Sequence, residues 1–230
     1  MAGKTGKGGD GIQILAAVTM AAPLLVLIAA GGVRMGLWGA DLAFETLTLT
    51  VGRYLALAGV GAAALAVVLA LRQPKGRWFF AVVSVLVAGA TLTAFLTQQA
   101  KFGTAPNDIS TDLAEPPGFS RLVESRRTED KAMALAAPAA CAAATALPTQ
   151  VTPEAARDAL KAAGFSVVGV APFRAEGSRV GFWFGLTHDA VIRIRPGQTD
   201  VRVSAREDVA QGPEACRLAG AIVAALQTAR

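Results

Sequence analysis

Three apolar stretches dominate the first hundred positions. Residues 12–33, 47–71 and 78–96 run almost without charge, and only Arg53, near the start of the second, interrupts them. Each reaches the roughly 20 residues that a helix needs to cross a bilayer. No ionisable residue falls at mid-span, so the usual mark of an ion or proton path is missing and a transporter is disfavoured. Pro23 lies inside the first span and predicts a kink. Residues 34–46 mix Met35, Leu37, Trp38, Leu42 and Phe44 with Asp41 and Glu45, which reads as an interfacial turn with Trp38 at headgroup level. Small residues four apart in the second span (Gly52 and Ala56, Ala58 and Ala62, Gly59 and Ala63) let helices approach closely. Packing among the three helices of one chain is favoured over self-association.

Beyond residue 100 the pattern changes. Asn107-Asp108-Ile109-Ser110-Thr111-Asp112 and Pro116-Pro117-Gly118-Phe119 favour extended, turn-rich backbone. A charged run follows over 121–131, then an alanine-rich stretch over 132–148 broken by Pro138. At Thr152-Pro153-Glu154 an N-cap, a first-turn proline and an early acid predict a helix that Gly164 closes. Strand-like runs follow at 165–170, 180–184, 190–195 and 200–205, with turns at Gly177-Ser178, Thr187-His188 and Pro196-Gly197. A last helix over 213–228 places Leu218, Ile222 and Leu226 on one face. The expected architecture is a membrane α-helical anchor of three transmembrane helices, then a small α+β domain with an antiparallel sheet and helices on one face. Its parts are a disordered tail (1–11), the membrane region (12–100), an extended linker (101–151) and the folded domain (152–230).

Composition agrees with this division. The hydrophobic fraction is 53% and the mean hydropathy +0.46, above the globular norm, with the excess before residue 100. A net charge of +5 invites a nucleic-acid reading, but basic residues flanking the spans account for it, and no nucleic-acid partner is expected. Lys4 and Lys7 precede the first span, and Arg72, Lys75 and Arg77 fill the second turn. The positive-inside bias puts both in the cytoplasm. Three crossings then carry the C-terminal domain across, to the periplasm of a bacterial inner membrane. The first apolar run exceeds a signal-peptide core, so it is expected to stay as a helix.

Candidate chemistry is sparse. Gly3-Lys4-Thr5 lacks the upstream glycine and strand of a phosphate loop. Asp108 and Asp112 have the spacing to share a cation, although such residues more often tie their own backbone. His188 is the only histidine, and with Asp189 it makes no triad. No catalytic set, no metal site and no cofactor site emerges. In the 190–195 and 200–205 hairpin, both apolar sets share a face if Ile194 lies opposite Val201, which sets Arg193 against Arg202. Like charges so placed need an acid nearby. Asp200, Glu207 and Asp208 are internal candidates; a lipid phosphate or another anion is the external one. Cys141 and Cys216, on the expected outer side, permit a disulfide, with buried thiols as the alternative.

The blocks Asn107 to Asp112 with Pro116, Pro117 and Phe119, then Trp183-Phe184-Gly185, Ile192-Arg193, and Asp200-Val201-Arg202 with Arg206, Gly212 and Arg217, carry a family likeness. From about residue 105 onward the chain resembles the family named domain of unknown function 1499. It departs in having Val203 and Ala205 where serines are usual, Glu214 where an asparagine is usual, and a segment after Arg206 one residue shorter. The resemblance implies a domain with membrane spans before it and transfers no catalytic residue. The expected role is a non-enzymatic accessory module of the cell envelope that binds membrane lipids or a membrane-protein partner. Arg193, Arg195, Arg202 and Arg206 would form its contact surface. The rival reading is a hydrolase or transferase with a site around Asp108, Asp112 and Arg202.

Overall fold

The computed structural model describes residues 10–72, 77–102, 107–126, 135–136, 141–207, 209, 211 and 213–229. The basic tail before residue 10, residues 73–76, much of the alanine-rich stretch, Asp208 and Gly212 lie outside the described residues. The chain forms two units, 1–100 and 101–230.

In the first unit three helices are long and apolar enough to cross a membrane, spanning Gly11–Arg34, Leu42–Arg72 and Trp78–Thr97, with mean hydropathies of 2.3 to 2.4. The chain is thus a multi-pass membrane protein. Helix α1 (Asp10–Arg34) contains Pro23, and α3 covers Trp78–Phe102. The second span begins earlier than expected. A π-helical stretch, Leu42–Gly52, runs directly into α2 (Arg53–Arg72). Thr48 and Thr50 hydroxyls donate to the Ala43 and Glu45 carbonyls five residues back, at 2.8 and 3.0 Å, reinforcing the wide turn. The interfacial turn therefore shrinks to residues near 35–39, where Trp38 Nε1 donates to the Ala29 carbonyl at 3.0 Å. Small residues do pack within the chain. A Cβ on Gly59 would meet the Thr19 backbone at 3.5 Å, and one on Gly52 would clash with the Phe95 ring at 2.8 Å.

The second unit is an α+β domain. Its sheet has six strands: β1 (Asp108–Ser110), β2 (Leu135–Ala136), β3 (Ser166–Ala171), β4 (Arg174–Val180), β5 (Thr187–Arg195) and β6 (Gln198–Ala205), in the order β2-β1-β6-β5-β4-β3. All neighbours are antiparallel except β1 with the two-residue β2. Short helix α4 (Arg121–Glu124) precedes β2; α5 (Pro153–Ala162) and α6 (Glu214–Thr228) complete the domain. Thr152 Oγ1 caps α5 by accepting from Ala155 N at 3.1 Å. Gly164, at φ +84°, ends it in a Schellman turn. Both helices lie on one face of the sheet. There Leu160, Ile192, Val201, Val203, Leu218, Ile222 and Leu226 are fully buried.

Three expectations are corrected. The 101–151 segment is no linker: β1 joins the sheet, and Ile109, Val123, Ala144 and Leu147 are buried. The second long strand is Arg174–Val180, not 180–184, because the turn falls at Pro172-Phe173. Gly177 sits mid-strand, where a Cβ would come to 3.0 Å from Phe165 Cβ, a close approach that favours glycine. The β5–β6 register is two residues from the expected one. Arg195 pairs with Gln198, so Pro196-Gly197 makes a two-residue loop, and Ile192 faces Val201. Gly197 at φ +75° fits that tight turn. Arg193 consequently faces Asp200, an opposite charge. The like-charge neighbour across the ladder is Arg174 on β4 instead.

Candidate functional site

The face of the sheet away from α5 and α6 is polar, because alternation on β1, β4, β5 and β6 turns Asp108, Ser110, Glu176, Asp189, Arg193, Asp200, Arg202 and Ser204 outward together. Among the described residues no long helix covers it. Residues 111–124 cross it as a strap, from β6 over β5 to β4.

The strap is fastened by three of the four arginines that the sequence marks as a contact surface, Arg193, Arg195 and Arg202. Arg202 grips Asp108 with two bonds, Nε to Oδ1 at 3.0 Å and Nη2 to Oδ2 at 2.7 Å. It also donates to the Pro117 carbonyl at 3.2 Å and lies 5.1 Å over the Phe119 ring. Arg193 reaches Asp200 at 3.0 Å, Asp112 at 2.9 Å and the Glu115 carbonyl at 2.8 Å. Arg195 reaches Asp200 at 2.7 Å, Asp112 at 2.9 Å and Glu115 at 3.0 Å. Arg206 holds Asp189 with two bonds, the shorter 2.7 Å, and Ser178 Oγ donates to the same carboxylate at 2.6 Å.

This corrects the idea of an open cationic surface. The four side chains are only 18–33% exposed, and Asp189 and Asp200 are fully buried. An external anion would have to displace carboxylates already seated in fixed forks. Asp200, one of the internal acids considered, is the one used here, joined by Asp112 and Glu115. Glu207 instead accepts from Thr187 N at 2.7 Å, where β5 begins.

Asp108 and Asp112 do not share a site. Asp108 faces Arg202. Asp112 Oδ1 accepts from the Ala114 and Glu115 amides at 3.1 Å each, tying its own backbone. Its carboxyl is held below the usual range, first by the Glu115 amide and then by Arg195 and Arg193, against the opposing effect of burial. Among the described residues no group of three or more His, Cys, Asp or Glu could hold a metal. His188 points to the core face. Burial lowers its pKa to about 4, with Arg179 and Arg217 adding to the effect and Glu214 and Asp189 opposing it. Cys141 and Cys216 are two thiols in hydrogen-bond contact.

What the polar face does offer lies beside the strap. Ser120 N donates to Glu176 Oε1 at 2.7 Å, and Arg174 Nη1 donates to the same oxygen at 3.3 Å. This anchor leaves a groove of about 510 Å³ between α4 and the sheet edge, lined by Leu122, residues 168–171, Phe173, Arg174 and Glu176. Strand β3 is that edge. It carries no charged residue and no proline, and its register shift at Val168 is its one irregularity. Leu122, Val170 and Phe173 are exposed beside it, Phe173 by 62%. Sequence reading passed over these residues. The available signal was an uncharged strand, Ser166-Val167-Val168-Gly169-Val170-Ala171, followed by an apolar residue after proline at Phe173. No family model, no curated protein and no solved structure matches the chain.

Proposed function

We propose that this protein is a non-enzymatic, membrane-anchored binding module of the bacterial cell envelope, with its C-terminal domain in the periplasm. Its binding site is the β3 edge and the groove beside it. Its ligand is an extended, largely apolar polypeptide segment of a membrane-protein partner. The observation that carries this reading is the β3 edge, uncovered among the described residues and bordered by an apolar groove. Strand edges normally carry lysine, proline or covering structure, since bare backbone donors and acceptors invite pairing. A segment added to such an edge gains main-chain hydrogen bonds, while a neighbouring groove selects its side chains. Arg174, 36% exposed in its side chain, suits an acidic residue or a C-terminal carboxylate at the end of that segment. Lipids supply apolar chains but no matching row of amide donors and acceptors.

A photo-crosslinking amino acid at position 170 of the full-length chain, activated in intact membranes, tests this. The expected product is a polypeptide adduct. Gly169→Lys should reduce its yield, because a Cβ there meets nothing within 4 Å, so the fold is spared while the edge gains a charge. Blocking the pairing at that residue forfeits up to two main-chain bonds, roughly 1–3 kcal/mol, or about 5- to 150-fold. Lipid adducts alone, or a polypeptide adduct indifferent to Gly169→Lys, would overturn the proposal.

A further inference from the structure

We propose that Cys141 and Cys216 are joined by a disulfide in the mature protein, formed as the domain folds on the oxidising side of the membrane. The inference rests on the outward placement proposed above. Cys141 belongs to the apolar core and is 5% exposed, and Cys216, in the first turn of α6, packs against the same core. One helical turn further along α6, a Cβ on Gly220 would come within 2.7 Å of Ala143 Cβ. Residues four apart on a helix lie one above the other. The close approach of Ala143 to Gly220 therefore sets Cys141, two residues back on its segment, beside Cys216. The segment is fixed at its far end as well. Leu147 and Thr199 exchange backbone hydrogen bonds of 3.0 and 2.9 Å, and Ala144 N donates to the Cys141 carbonyl at 2.9 Å. The juxtaposition is a property of the packed core, not of a mobile surface.

The chemistry balances as follows. One thiolate attacks the disulfide of an oxidising protein, the mixed disulfide is resolved by the second cysteine, and the S–S bond forms. Two protons and two electrons leave the domain, and the oxidant's own cysteines are left reduced. Timing follows from burial. In the packed domain burial pushes the Cys216 thiol up to about 12, and the hydrogen bond to Cys141 adds to this. Only the thiolate is nucleophilic, so exchange is slow once the core has closed. The bond forms before 141–147 settles on α6 and is shielded afterwards. It closes a loop of about 75 residues around α5 and strands β3 to β6.

Full-length protein from membranes of the producing cell, denatured in an alkylating agent without reductant, provides the test by intact mass. The expected result is no alkyl group added, and two added only after reduction. Reduction should also lower the thermal midpoint of the domain by roughly 10–20 °C. Two groups added without reductant would overturn the proposal. A second arm locates the failure: reduced protein is refolded in detergent in a glutathione redox buffer. A bridge there, with thiols in the cell, places the error in the membrane side. Thiols in both place it in the packing.

Discussion

Arg202→Ala is expected to destabilise the C-terminal domain by about 3–5 kcal/mol, the cost of leaving a buried charge without its partner. Asp108 stays behind at 3% exposure, and its two acceptor oxygens lose both guanidinium bonds. The strap loses the Pro117 contact and the stacking on Phe119 at the same time. Hydrogen–deuterium exchange on full-length protein in lipid nanodiscs reads the effect as lost protection in β1 and β6. Arg202→Lys should fall between the two, since an ammonium keeps the charge but neither the fork nor the planar stacking. The combined variant Asp108→Asn with Arg202→Gln should recover much of the loss, because no net charge is stranded. Equal losses in the single and combined variants would show that Arg202 acts through something other than Asp108. A surface arginine waiting for a ligand would give almost no change in protection. The same substitution thus separates a fastener from an open contact surface.

Acidification is expected to destabilise the domain through His188 by about 3 kcal/mol in full, the product of a two-and-a-half-unit depression and 1.36 kcal/mol per unit. The ordinary value of 6.5 falls to about 4 in the folded domain. Between those values the unfolded chain binds a proton that the folded domain refuses. The stabilisation is therefore complete above pH 6.5, declines as pH falls, and is gone by about pH 4. The cause is position. His188 is 4% exposed on the core side of β5, and its Nε2 has no hydrogen-bond partner among the described residues. It lies among Arg179, Glu214 and Arg217, with Asp189 next to it in the chain. Glu214 is itself held low, chiefly by its hydrogen bond with Arg217, so its contribution fades at the acid end of the range. The interval between pH 6.5 and 5 thus belongs mainly to the histidine. Exchange protection in β5 and β6, corrected for the intrinsic rate at each pH, should fall with acid in the native chain and stay nearly level in His188→Gln. Parallel declines in both would assign the pH dependence to the carboxylates.

Arg202 and His188 lie on opposite faces of one sheet. On one face burial keeps a histidine neutral. On the other, Arg193, Arg195 and Arg202 with their acids hold a strap across the sheet. The ionic layer leaves the cationic groups little capacity for outside anions, which is why the candidate site moves to the neighbouring β3 edge. There the proposed binding would use the backbone of the edge strand, not a charged side chain.

Much of the architecture was written locally in the chain. The three spans follow from unbroken apolar runs of about 20 residues or more. Helix α5 follows from Thr152, Pro153 and Gly164 within a dozen residues, and α6 from the four-residue spacing of Leu218, Ile222 and Leu226. Other features depend on partners far along the chain. Arg193 meets Asp112 from 81 residues away, and Arg202 meets Asp108 from 94. No periodicity announces such pairs, so Asp108 to Ser110 read as linker until β6 received them as a strand. Apolar alternation leaves the β5–β6 register open to a two-residue slip. Only the geometry of the Pro196-Gly197 turn decided it, and with it whether Arg193 faced a like charge or Asp200. Sequence alone determined which segments cross lipid and which form helices, because those depend on near neighbours. The folded sheet decided which charges cancel and which edge stays bare, because those depend on residues brought together only by chain crossings.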